Sequence, residues 1–168
     1  MIEPTVEVST SHGSFVIALD AARAPRSVEN FLRYVDSKHY DGTVFHRVIS
    51  TFMIQGGGFD RKLEKKPVLA AIQNEADNTI RNTRGTVAMA RTSDPHSATS
   101  QFFVNVVDNG FLDHKAKDAT GWGYAVFGRV TEGMDVVDRI KAVPTGASGP
   151  FAKDAPIELV VINSVRRR

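Results

Sequence analysis

Residues 44–59 read VFHRVISTFMIQGGGF: two short apolar runs with polar side chains set into them, halted by three consecutive glycines. Val, Ile and Phe at this density favour extended backbone, so the stretch predicts strands over 44–49 and 52–55, broken at Ser50-Thr51 and ended by Gly56, Gly57 and Gly58. Inside the first run lies Arg47. A charge taken out of water costs several kcal/mol unless it is paired or used, so this arginine needs an explanation.

The rest of the chain repeats the strand pattern. Residues 5–9 and 14–19 are strand-like and flank a Ser-His-Gly turn, which makes an opening hairpin. Pro25 suits a first helical turn, and Val28, Phe31, Leu32 and Val35 follow at spacings of three and four, which predicts a helix over 25–37. From the glycines to about residue 84 the chain is polar and aperiodic, and it reads as a long surface loop, either functional or mobile. Residues 85–90 alternate, with Val87 and Met89 on one side. The small polar loop RTSDPHSATS leads into a strand over 101–106. After the Asp108-Asn109-Gly110 turn and a polar loop over 114–123, a strand is expected over 124–130. A helix follows over 132–142, with Met134, Val137 and Ile140 facing inward. A Gly/Pro-rich loop over 144–156 and a last strand over 157–165 complete the pattern.

Eight strands and two helices, with no repeat and no linker, predict one mainly β domain over 1–168. Eight strands suffice to close a barrel filled by side chains, so the expected fold is a closed, eight-stranded, mostly antiparallel β-barrel with two α-helices capping its ends. A two-sheet sandwich fits the same pattern.

Charge narrows the function. The net charge of +2 owes its sign to Arg166, Arg167 and Arg168, without which 18 basic residues face 19 acidic ones. Three terminal arginines read as a solvated end, and no nucleic-acid partner is expected. The absence of cysteine removes disulfides, thiolate metal sites and thiol nucleophiles. Neither a signal-peptide pattern nor an apolar run of about 18 residues occurs, which predicts a cytoplasmic chain with no membrane contact. No exposed apolar stripe marks a dimer face, so a monomer is expected. His12, His39, His46, His96 and His114 form no HxH or HExxH pair, so no metal site is expected. The glycine run lacks the Lys-Ser/Thr of a phosphate loop, and no GxSxG elbow is present.

Strand alternation decides which embedded polar groups share a face. Met53 pairs with Gln55, Gln101 with Phe103, and Arg47 falls on the face of Phe45 and Ile49, opposite His46. A guanidinium, two amides and several Phe and Met side chains suit a shallow apolar groove that must also hydrogen-bond a peptide. Taken singly, Arg47 reads first as a structural arginine tied to backbone carbonyls or a buried carboxylate. Phe52, Met53, Phe102 and Phe103 likewise read as core.

Three segments, FHRVISTFMIQGGGF, MARTSDPHSATSQFFVNV and GYAVFGRV, resemble in order and spacing the signature blocks of the cyclophilins, the peptidyl-prolyl cis/trans isomerases. The compact loops and the form GWGYAVFGRV are most similar to the small bacterial cytosolic members. The resemblance implies that Arg47 is the catalytic guanidinium, with Gln55 a catalytic amide, and that Phe52, Met53, Phe103 and Leu112 line a pocket for the substrate proline. It also implies that Gln101 is a groove amide and that the backbone of Ala90 and Arg91 is a rim pairing with residues before the proline. Phe111 and Tyr124 complete the groove, standing where the best-known eukaryotic members carry Trp and His. Proline-containing peptides and unfolded proteins are the implied partners, without a cofactor or a covalent intermediate. Phe111 lacks the indole N–H of a Trp, so weakened binding of cyclosporin, the family's cyclic-peptide inhibitor, is expected. Arg91, where Asn is frequent, is expected to bias the groove towards acidic substrate residues. A non-enzymatic proline-peptide binder on the same barrel would need the pocket but not the guanidinium.

Overall fold

A computed structural model describes residues 3–168; the first two residues of the 1–168 domain lie outside it. Among the described residues the chain forms eleven strands and two α-helices. Strands β1 (Thr5–Thr10) and β2 (Gly13–Leu19) make the opening hairpin, and α1 spans Pro25–Asp36. The central stretch supplies β3 (Thr43–Val44), β4 (Arg47–Ile49) and β5 (Met53–Gly56). They are followed by β6 (Thr86–Met89), β7 (Phe102–Asn105), β8 (Val126–Glu132) and α2 (Met134–Lys141). A hairpin of β9 (Thr145–Ser148) and β10 (Phe151–Pro156) precedes β11 (Val161–Arg167).

Nine strands form a single sheet in the order β3-β11-β1-β2-β8-β6-β7-β5-β4. Every pairing in it is antiparallel. Its two edges, β3 and β4, are consecutive in the chain, so the sheet curls until only Phe45 and His46 separate them. The barrel is completed there by the chain itself rather than by a ladder, with Phe45 N–H donating to Val160 O at 3.0 Å. The predicted strand over 44–49 is thus two strands. Phe45 and His46 leave the pleat, the alternation does not run through them, and Phe45 turns into the core while Arg47 stays exposed. The expected shared face of Arg47 and Phe45 is therefore not formed, whereas Arg47 and Ile49 do share one.

The main core gathers Val6, Ile17, Ile54, Val87, Phe102, Val104, Phe127 and Ile162 from the sheet with Phe31 of α1 and Ile140 of α2. Pro25 opens α1, but its free N–H groups are capped from far away. Glu75 accepts from Ser27 N–H at 2.7 Å and Arg26 N–H at 3.3 Å, placing a carboxylate where the helix end is positive. Glu75 belongs to the segment read as a surface loop. That segment also buries Asn74 and Asn82 and carries a 3-10 turn over Ala76–Asn78, so it is docked onto the sheet.

Two further expectations change. The Gly/Pro-rich stretch over 144–156 is the β9–β10 hairpin, paired only to itself and lying against β4. Its Phe151 ring packs 5.2 Å from the ring of buried His46. The last strand extends into the terminal arginines. Arg166 pairs with Asp41 and Arg167 with Asp36, both at 2.7 Å, and Arg168 with Glu132, so the basic end is ion-paired, though exposed. No helix among the described residues is long and apolar enough to cross a membrane.

Candidate active site

Register aligns the site. Arg47 on β4 stands opposite Gln55 on β5, which faces Phe103 on β7, which faces Ala88 on β6, which faces Val126 on β8. These five residues form one row across the face of the sheet turned away from the main core. Met53, Ala88, Ala90, Phe103, Leu112 and Val126 make a second, smaller apolar cluster there, with Ile49, Phe52, Ile80 and Tyr124 packed around it. The small side chain of Ala88 leaves space above the row. The result is a cavity of about 140 Å³ walled by Arg47, Phe52, Met53, Gln55, Ala90, Arg91, Phe103, Leu112 and Tyr124.

Nine of the eleven residues named from sequence meet in this cavity. Gln101 stands just outside, on a broader depression that shares Gln55, Ala90 and Arg91. Its Oε1 accepts from Gln55 Nε2 at 2.9 Å, which orients the Gln55 amide at the cavity wall. Phe111 also lies outside the walls, two-thirds exposed, with its ring 5.6 Å from that of Phe52. Two of the glycines serve this arrangement. Gly57 has a φ of +91°, and a Cβ on Gly58 would come within 2.5 Å of the Gln101 side chain, so β5 can turn away and leave Gln101 its place.

The Arg47 guanidinium is exposed and lies 5.9 Å from the Phe52 ring centroid, with no ion pair or side-chain hydrogen bond among the described residues. It is therefore not a structural arginine, and the burial cost that made it puzzling in sequence is not incurred. His46, its neighbour in the chain, is buried between Phe59 and Phe151 with Nδ1 unpartnered. Burial, and secondly the Arg47 charge, lower its pKa to about 4, so it stays neutral.

At the rim, Ala90 N–H donates to Gln101 O at 3.0 Å, while the Ala90 carbonyl and the Arg91 N–H have no partner among the described residues. The Arg91 side chain is committed. Its guanidinium lies 4.4 Å over the Tyr124 ring and donates to Gly123 O at 3.0 and 3.1 Å and to Thr92 O at 2.8 Å. Trp122 is buried in the adjoining loop between His96 and His114, away from the cavity. No cluster of three or more metal-ligating side chains occurs among the described residues.

Sequence reasoning passed over Asn105, the polar residue inside the apolar run QFFVNV. It shares the face of Phe103 and stands opposite Met53, which is one of the cavity walls. The signal was present: an amide set in an apolar run, in phase with Gln101 and Phe103.

Fold and site together define a curled antiparallel barrel with a guanidinium-edged apolar groove on its outer wall. The model of the cyclophilin type peptidyl-prolyl cis-trans isomerases matches residues 5–167. A peptidyl-prolyl cis-trans isomerase of Streptomyces antibioticus is 64% identical over 96% of this chain and 97% of its own length. Peptidyl-prolyl cis-trans isomerase B of Escherichia coli K12 is 54% identical over 95% and 97%. A crystal structure of a cyclophilin type isomerase from Cryptosporidium parvum superposes with a TM-score of 0.80 at 23% identity, covering 99% of this chain and 98% of that one. A second structure of that protein, in the presence of the dipeptide Ala-Pro, gives 0.79 at 24% identity, covering 98% of each. This chain belongs to the cyclophilin type peptidyl-prolyl cis-trans isomerase family.

Proposed function

We propose that the cavity beside Arg47 carries the peptidyl-prolyl cis/trans isomerase activity of this chain, and that the arginine acts as a transition-state donor. Rotation about an Xaa-Pro bond is slow because resonance gives the C–N bond partial double-bond character, a barrier of about 18–20 kcal/mol. As the bond twists, the prolyl nitrogen recovers a lone pair and becomes a hydrogen-bond acceptor. A cation that donates to it there, and not to the planar ground state, accelerates both directions equally. The observation that carries this role is the free guanidinium of Arg47 at an apolar cavity, its donors uncommitted to the protein.

The proline ring sits among Phe52, Met53, Phe103 and Leu112 while the carbonyl side rotates. Gln55, held by Gln101, hydrogen-bonds the moving oxygen, and the open Ala90 carbonyl and Arg91 N–H pair with the peptide before the proline. Lowering the barrier by ~7–8 kcal/mol brings a process of tens of seconds to below about a millisecond. Neither a covalent intermediate nor a cofactor enters this scheme.

Substrates are Xaa-Pro segments of flexible or unfolded chains, and the activity assists folding. Cyclosporin binds weakly, because Phe111 offers ring area without a donor. Arg91, stacked on Tyr124, contributes its charge to the groove's preference for acidic residues while its donors remain on carbonyls. Residues 1–168 act as one domain, supported by a core shared by both helices and by strands from β1 and β2 near its start to β11 near its end. Among the described residues the few exposed large apolar side chains, Val68, Leu69, Phe111, Ile157 and Leu159, fall in three separate stretches of the chain, which supports a monomer. The C-terminal ion pairs support the absence of a nucleic-acid partner, and the resemblance to small cytosolic members supports a cytoplasmic location.

Arg47→Ala tests the assignment in a proline-limited refolding assay and in exchange NMR on an Xaa-Pro peptide. The expected loss is about 10²- to 10³-fold in kcat/KM, the scale of a deleted transition-state donor. Wild-type activity in a folded variant overturns the role. A pure binder would retain both its peptide affinity and its lack of turnover.

A further inference from the structure

Three buried asparagines have no part in the scheme above. Asn82, Asn105 and Asn109 are 1%, 0% and 3% exposed. A buried amide withdraws several hydrogen-bonding positions from water, each costly when left open, so what these three hold is informative. Their bonds run in one direction. Asn109 Nδ2 donates to Phe52 O at 3.0 Å and to Asn105 Oδ1 at 2.8 Å. Asn105 Nδ2 donates to Asn82 Oδ1 at 3.1 Å and to Thr86 Oγ1 at 2.9 Å. Asn82 Nδ2 is shared among Tyr124 O at 3.2 Å and Leu112 O and Asp113 Oδ1, both at 3.3 Å.

The two ends of this relay are cavity walls. Phe52, Leu112 and Tyr124 come from separate segments of the chain, and none belongs to a strand of the sheet. The relay ties the carbonyls of all three together through Asn105, which the sheet itself fixes on β7. We propose that Asn82, Asn105 and Asn109 are positioning residues that hold the Phe52, Leu112 and Tyr124 walls of the proline cavity as one frame. The catalytic consequence rests on the isomerase reading of that cavity. Asn105, the central link, must donate and accept at once, which an amide does and a carboxylate or an alkyl group does not. Bonds chained in this way also polarise one another. Walls that drift by an ångström lose the geometry on which rotation depends.

Two measurements test the relay, and the first needs no activity. The Tyr124 N–H donates to Leu112 O at 2.9 Å, so its hydrogen exchange in the native state reports the far end of the frame. Among the described residues the Asn109 side chain hydrogen-bonds only to Phe52 O and Asn105 Oδ1. Asn109→Ala is nevertheless expected to speed exchange at Tyr124 by about fivefold, the factor one net hydrogen bond is worth. Asn82→Ala should do the same, and the double variant should be less than additive. If Asn82→Ala does not fold, Asn109→Ala alone decides. In the second measurement kcat/KM of Asn109→Ala on an Xaa-Pro peptide falls about tenfold, and Asn109→Ser, which keeps a donor, recovers part of it.

Unchanged exchange at Tyr124 in Asn109→Ala overturns the relay, as does a rise spread evenly over the sheet. Faster exchange at Tyr124 with wild-type kcat/KM overturns its positioning role. An inactive wild-type protein would remove the isomerase reading while leaving the exchange result to judge the frame.

Discussion

The two faces of strands β5 to β8 are made from the same residues in alternation and do opposite things. One face sends Ile54, Val87, Met89, Phe102, Val104 and Phe127 into the main core, where helix side chains close over them. The other sends out Met53, Ala88, Phe103 and Val126, together with Gln55 and Asn105, and is left partly open as the cavity. Both faces are apolar, so hydrophobicity does not distinguish them. What does is what covers each: helices over the first, polar loops and a free arginine over the second. A strand can thus fill the core on one side and line an open cavity on the other, and adjacent residues fall under different constraints.

Adjacent phenylalanines on β7 give the sharpest separation. Phe102→Ala should cost about 3–5 kcal/mol in urea unfolding, because its ring is fully enclosed by Phe31, Tyr40 and Phe45. Phe103→Ala borders an existing cavity, so it should cost less stability but at least about tenfold in kcat/KM. If both variants lose stability and activity in the same proportion, the division between the faces fails.

His46 and Arg47 repeat the opposition at the head of β4, one facing inward and one outward. The folded state keeps His46 neutral with a pKa of about 4, against about 6.5 when unfolded, so the unfolded chain binds the extra proton. Stability should therefore be unaffected above about pH 6.5, fall as pH drops towards 4, and level off below; the interval is worth about 3 kcal/mol. His39, also lowered chiefly by burial, adds a contribution of the same sign. Chemical denaturation across this range should show the slope shrinking in His46→Phe; an unchanged slope would place the effect elsewhere.

The smallest effect is expected at the rim. Phe111→Trp adds an indole donor to a ring that is already exposed, and should tighten cyclosporin by about 1–2 kcal/mol in calorimetric titration. Nanomolar binding by the unaltered protein would contradict the reading of Phe111.

Much of the site was legible because strand alternation is local. The pairs Met53 with Gln55 and Gln101 with Phe103 follow from a period of two. The helices at Pro25 and Met134 follow from spacings of three and four. Where prediction failed, the cause was non-local. Glycine and proline over 144–156 look like a loop until their hairpin finds β4 to lie against. The stretch before residue 84 looks mobile until Glu75 meets the start of α1 and Asn82 meets Asp113. Phe45 changes face because the chain must pass from one edge of the sheet to the other, which no window of sequence around it reveals.

By itself the sequence determined both helices, most of the sheet strands with their alternating faces, and the suspicion attached to Arg47, since these depend on backbone periodicity and residue type. Only the tertiary structure decided that Arg47 is exposed and free, that Gln101 orients Gln55, and that three asparagines bind separate cavity walls. Those facts depend on which groups meet across 30 or more residues, as in Gln55 with Gln101 or Asn82 with Leu112 and Tyr124. Such meetings are set by closure of the sheet rather than by the chemistry of any one segment.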